Sequence, residues 1–145
     1  MGTTFLRAAI MAVAISGAGS ISTAEEPAPA GEISIELNTM AEGAGSCTLT
    51  FVVTNGFPVD IDKLVYETVL FDTDGTVDRL TLFDYGALPV GRARVRQFAV
   101  PDLSCDTLGR VLFNGVHTCT VPSLDVAHCG AGLVPTSRVD VEVLG

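Results

Sequence analysis

From Glu32 onward, apolar and polar residues alternate along most of this chain with a period of two. Glu32–Asn38 sets Ile33, Ile35 and Leu37 against Glu32, Ser34 and Glu36, which predicts a half-buried strand. Met40–Ser46 carries Gly43 and Gly45 and reads as a turn. Cys47–Asn55 then places Cys47, Leu49, Phe51 and Val53 on one face and Thr48, Thr50, Val52 and Thr54 on the other. Asn55-Gly56-Phe57-Pro58 ends this second strand, because Asn-Gly is a turn signal and Pro58 lacks a ladder donor. The longest strand signal starts at Lys63 and runs to Phe71. Leu64, Tyr66, Thr68 and Leu70 share one of its faces; Val65, Glu67, Val69 and Phe71 share the other. The first set is placed inward, since Glu67 would be costly to bury without a partner. Asp72–Gly75 follows as a tight polar turn.

Thr76–Tyr85 continues as a strand through Val77, Leu80, Leu82 and Phe83, until Gly86 and Leu88-Pro89-Val90-Gly91 break the pattern. In Arg92–Val100 the residues Arg92, Arg94 and Arg96 oppose Ala93, Val95, Gln97 and Ala99. Phe98 and Val100 fall on the arginine face, so a bulge or a twist is expected if they belong to the core. Leu108–Thr120 predicts a sixth strand. Val121–Thr136 reads as a loop with a short helical turn at Ser123–Ala127, and Ser137–Leu144, with Val139, Val141 and Val143, predicts a seventh strand. No segment of useful length has helical periodicity, and no internal repeat occurs. About seven short strands at regular spacing imply an all-β, immunoglobulin-like sandwich of antiparallel strands over residues 32–145, with a small closed barrel as the alternative. The chain has no Trp, so the expectation concerns the architecture and not an antibody-type core.

The first 24 residues break this pattern. Arg7 is the one charge in an otherwise apolar run from Leu6 to Ile15, and Ser22-Thr23-Ala24 supplies small residues where a signal peptidase cuts, with Ala28-Pro29-Ala30 as a second choice. The run is well short of the roughly 20 residues of a spanning helix, Arg7 has no arginine beside it, and no Cys is nearby to carry a lipid. Residues 1–24 therefore read as a secretory signal, residues 25–31 as a flexible leader, and the remainder as an exported periplasmic or secreted domain without a membrane span. Removing the signal leaves seven basic against 17 acidic residues, a formal charge of about −10. That balance disfavours nucleic acid and anionic lipid and is compatible with a basic partner.

Four cysteines remain, Cys47, Cys105, Cys119 and Cys129. An even number in an exported chain reads as two disulfides with three possible connectivities. In an immunoglobulin-like topology the second and sixth strands start at the same end of facing sheets. Cys47 opens one and Cys105 precedes the other, so Cys47–Cys105 is the expected long link and Cys119–Cys129 the short one. On the loop-entropy model they contribute about 4 and about 2.7 kcal/mol. The competing reading is metal binding, but Cys119 beside His117 and Cys129 beside His128 do not follow a recognised ligand spacing.

The remaining candidates for chemistry are few. Asp72-Thr73-Asp74-Gly75 with Asp78 superficially suggests a calcium loop, yet the ligand spread and flanking helices of such loops are missing, and a hairpin turn accounts for every residue. Arg92, Arg94 and Arg96 form the one concentrated positive patch, either a site for an anion or acidic partner or a ladder paired across strands with Glu67 or Asp78. His117 and His128, with Asp125 or Met40, are the basis of a metal-handling alternative. No Gly-x-Ser-x-Gly, activated Cys or phosphate-cradling loop is present, so neither catalysis nor a cofactor is expected.

Val53-Thr54-Asn55, the strand closing in Leu70-Phe71-Asp72 with Gly75, the Leu88 to Gly91 turn and the strand reaching Phe98 together resemble the FxLYD-type immunoglobulin-like domains of exported bacterial proteins. The resemblance covers about half of the expected mature chain and includes neither the cysteines nor the arginines. It implies the sandwich fold and an envelope location, and transfers no active-site residue. The resulting expectation is a binding or accessory protein whose partner is an envelope protein or small ligand.

Overall fold

A strand with one apolar face must bury that face, and the strands of this chain do so by stacking two four-stranded sheets. The computed structural model describes Gly2, residues 31–122 and residues 124–145. The expected signal, Gly2 aside, and leader residues 25–30 lie outside the described residues, as does Ser123. In chain order the elements are β1 (Ile33–Gly43), β2 (Ser46–Asn55), β3 (Ile61–Asp72), β4 (Val77–Leu88), β5 (Arg94–Pro101), a 3₁₀ turn (Cys105–Thr107), β6 (Leu108–Thr120), α1 (Val126–Ala131), β7 (Leu133–Ser137) and β8 (Glu142–Leu144). One sheet has the order β5-β2-β1-β7 and the other β4-β3-β6-β8.

The inner faces are those the alternation assigns. Ile33, Ile35, Leu37, Leu49, Phe51 and Val53 are fully buried, as are Leu64, Thr68 and Leu70, and Tyr66 almost so. Glu67 stays half-exposed and accepts a hydrogen bond from Asn114 Nδ2. Phe51 is the hub of the core, with ring centroids of Phe83, Tyr85, Phe98 and Phe113 between 5.8 and 6.2 Å away. The Asp72–Gly75 hairpin forms as expected: the Asp72 carboxylate accepts from Asp74 N and Thr76 N, and Gly75 takes φ +83°.

The C-terminal segment departs from the expected seven antiparallel strands. Ser137–Leu144 is not one strand but the end of β7, a bend at residues 138–141 and then β8, so the strands number eight among the described residues. Both new pairings are parallel, β7 with β1 and β8 with β6. The cause lies in the connection. Asp125 caps α1 through Ala127 N, and α1 returns the chain to where β1 begins: the Gly132 carbonyl accepts from Ile33 N at 2.7 Å. A strand that starts beside the start of β1 must run the same way. After the bend, Val141 and Val143 are buried among the core side chains and β8 lies against the other sheet. The expected helical turn is thus displaced towards the C-terminus, to Val126–Ala131.

The cysteines pair as Cys47–Cys105 and Cys119–Cys129, separated by 58 and 10 residues, and none of the four is free. The first joins β2 to the turn that enters β6. The second holds α1 against β6, where Tyr66 also donates its hydroxyl proton to the Cys129 carbonyl at 2.7 Å. At the same end of the sandwich, buried Asn55 donates to the Val59 and Leu88 carbonyls and accepts from Phe57 N, which fixes the exits of β2 and β4.

Candidate binding groove at the open side

A sandwich has two lateral sides, and here they differ in how the sheets are joined. On the first, the edge strands β7 and β8 border one another without a ladder and are linked by the bend at residues 138–141. On the second, β4 and β5 are edge strands of different sheets with no ladder between them. The unpaired main chain there meets a few side chains instead.

Two arginines span this gap in opposite directions. Arg96 of β5 donates through Nε to the Tyr85 carbonyl at 2.6 Å and through Nη2 to the Ala87 carbonyl at 3.1 Å, both on β4. Arg79 of β4 donates to the Pro101 carbonyl at 2.5 Å and the Asp102 carbonyl at 3.3 Å, and its charge is paired with Asp78. Guanidinium suits this task because its planar fork offers several donors in fixed directions. Between the two arginines lies a groove of about 400 Å³, lined by Arg79–Phe83 of β4 and Gln97–Pro101 of β5. The Phe83 and Phe98 rings stack within its walls with centroids 4.3 Å apart. Its rim carries Leu80 and Leu82, which are 57% and 47% exposed.

The predicted arginine patch falls on this side, with one correction. Arg94 and Arg96 do not project from the outer face of β5. They share the inner face with Phe98 and Val100, and it is Val95, 58% exposed, that points outward. No bulge or break is needed, since β2 and β5 pair without interruption from Ser46↔Pro101 to Val53↔Arg94. An inner position at the end of an edge strand overhangs the open side, so a long cation there reaches water or a partner. The expected pairing with Glu67 or Asp78 does not form, because Glu67 is bonded to Asn114 and Asp78 to Arg79. Among the described residues no carboxylate pairs with Arg92, Arg94 or Arg96, whereas Lys63, Arg110 and Arg138 pair with Asp84, Glu142 and Glu36.

The histidine alternative is not assembled. His117 on β6 and His128 on α1 are both exposed, and His128 Nδ1 lies 3.2 Å from its own helix-cap carbonyl, Asp125 O. Met40 sits on β1 opposite Leu49, well along the strand from α1. Among the described residues no three His, Cys, Asp or Glu side chains come together as a metal site.

Sequence reasoning missed Arg79 and the groove itself. The available signal was the run Leu80-Thr81-Leu82-Phe83, apolar on both faces of a strand that has a neighbour on one edge only. One further feature of this side is buried: the Tyr85 hydroxyl has no hydrogen-bond partner among the described residues. Burial holds its ionisation well above the usual phenol range, and the neighbouring Tyr66 pushes in the same direction. In comparison with known proteins, no family model, curated protein or solved structure matches this chain.

Proposed function

We propose that the protein is a small exported binding or accessory module of the cell envelope, without chemistry of its own, that engages its partner through the open side of an immunoglobulin-like sandwich. The observation that carries this reading is the groove between β4 and β5, rimmed by exposed Leu80 and Leu82 and bordered by arginines without carboxylate partners. A concave surface that sets apolar side chains beside convergent polar groups, here Arg79, Thr81 and Gln97, is a binding surface in general, and exposed leucines on an edge strand are otherwise an aggregation liability that folds suppress. Two disulfides support an oxidising compartment, and among the described residues no helix is long and apolar enough to cross a membrane. The test is a photo-crosslinking residue placed at Leu82 and, as control, at Val134 of β7 on the other side, in protein expressed in the envelope. A discrete adduct from position 82 and none from 134 is expected. Adducts equal at both positions, or none at 82, would overturn the assignment.

A further inference from the structure

The open side carries two features whose spacing along β5 defines what fits there. The groove is centred on Phe98, and Arg94 lies four residues earlier on the same face, with Arg92 two residues beyond it in the turn before the strand. At about 3.3 Å per strand residue, Arg94 stands roughly 13 Å from the groove, and Arg92 follows in the turn. Four of the chain's eight basic residues, Arg79, Arg92, Arg94 and Arg96, gather on this side of a protein that has 17 acidic ones. Three of the four lack a carboxylate among the described residues, although acidic side chains abound elsewhere on the chain.

Resting on the binding role proposed above, we infer that the occupant is an extended, acidic peptide segment of a partner protein. It lies along the open side, with an apolar side chain in the groove, a carboxylate four positions away paired to Arg94 and further acidic residues beyond it reaching Arg92. Extension follows from the edges, since β4 and β5 offer strand main chain that has no ladder on this side. Alternation then brings every second side chain of the segment to one face, which matches the same-face spacing of Phe98 and Arg94, with Arg92 beyond them in the turn. Acidity follows from the arginines, which bind carboxylates in bidentate fashion and whose charge has no other partner here. A small anion would use the arginines and leave the leucine-rimmed groove empty, and an uncharged strand would leave the arginines unpaired. Arg96 is not a contact of the segment. Its guanidinium is already directed at the Tyr85 and Ala87 carbonyls, so it marks the boundary between the groove and the charged half.

The test uses the chain purified as exported, with both disulfides formed, as bait for a displayed library of random linear dodecapeptides. The expected consensus is an apolar residue with Asp or Glu four positions away and further acidic residues on that side. Enriched peptides should bind the Arg92→Glu/Arg94→Glu variant at least about tenfold more weakly, a difference of roughly 1.4 kcal/mol. An equal melting temperature should show that the variant folds, because neither side chain has an ion pair to lose. A neutral or basic consensus, no enrichment, or undiminished binding to the double variant would overturn the inference. So would self-association of the chain that the double variant abolishes, which would make a second copy the occupant. Crosslinking at Leu82 without an acidic consensus would leave the binding role standing and remove only the peptide chemistry.

Discussion

On one side of this sandwich the chain itself joins the two sheets: β7 extends one, β8 the other, and the bend between them brings Val141 into the core just before Val143 of β8. On the other side β4 and β5 face each other across a space bridged by the side chains of Arg79 and Arg96. On the first side a covalent bend and buried valines join the sheets, while on the second each guanidinium satisfies two carbonyls and leaves the rest of the edge accessible. The contrast is between edges joined by the chain itself and edges bridged by side chains around a groove. It also predicts that stability resides on the closed side and recognition on the open one.

The comparison is tested most severely by Val141→Asp. Val141 is 3% exposed, so the substitution places an unpaired carboxylate among apolar side chains. We expect a loss of about 3–5 kcal/mol in urea unfolding. A loss below about 1 kcal/mol would mean that β8 is peripheral and that the closed side is not what holds the sheets together.

The two buried tyrosines sharpen the same comparison with opposite signs. Tyr66 is pinned to α1 through the Cys129 carbonyl, so Tyr66→Phe should cost about 1.5 kcal/mol. Tyr85, on the open-side strand β4, has a buried hydroxyl without a partner, so Tyr85→Phe should be neutral or stabilising by up to about 1 kcal/mol. Burial raises the ionisation of both phenols. The unfolded phenol ionises near about pH 10 while the folded one remains protonated, so stability is fully present below that pH and is lost progressively above it. Wild-type unfolding free energy should therefore fall on alkaline titration, and Tyr85→Phe should flatten the fall. A destabilised Tyr85→Phe would reveal a bond for that hydroxyl and refute the assignment.

Much of this was legible in the chain, and the failures share a cause. Alternation identifies faces, and it placed Ile33, Ile35, Leu37, Leu49 and Phe51 in the core because those strands are flanked on both edges. It does not report which strands lie at an edge. The face of Arg92, Arg94 and Arg96 accordingly reads as one that a bulge or a twist must separate from core Phe98 and Val100, although an inner face at an open side accommodates cations as readily as an outer one. Nor does alternation report which sheet a strand joins. Val139, Val141 and Val143 keep a period of two across the bend at residues 138–141, so one strand was expected where two now cross between sheets. The disulfides were legible because the positions of Cys47 and Cys105 at two strand starts depend on topology alone.

The smallest effects come from comparing two arginines of the same chemistry on the two sides. Arg96→Ala would leave the Tyr85 and Ala87 carbonyls on an edge strand without their donor, and because that edge is partly open to water the cost should be about 1 kcal/mol. Arg96→Lys should recover less than half of it, since an ammonium cannot present the fork that spans both carbonyls. Arg110 on the closed side bonds Glu142 of β8 at 2.6 Å and lies over the Phe71 ring, yet both members of the ion pair are about half exposed. Screening by water limits such a pair, and β8 is held mainly by buried Val143 and the preceding Val141, so Arg110→Ala should cost about 0.5 kcal/mol and lose even that in 1 M salt. If Arg110→Ala proved the more damaging of the two, β8 would be held by charge and not by burial. The ranking would then reverse, with the closed side depending on side-chain contacts as the open side does.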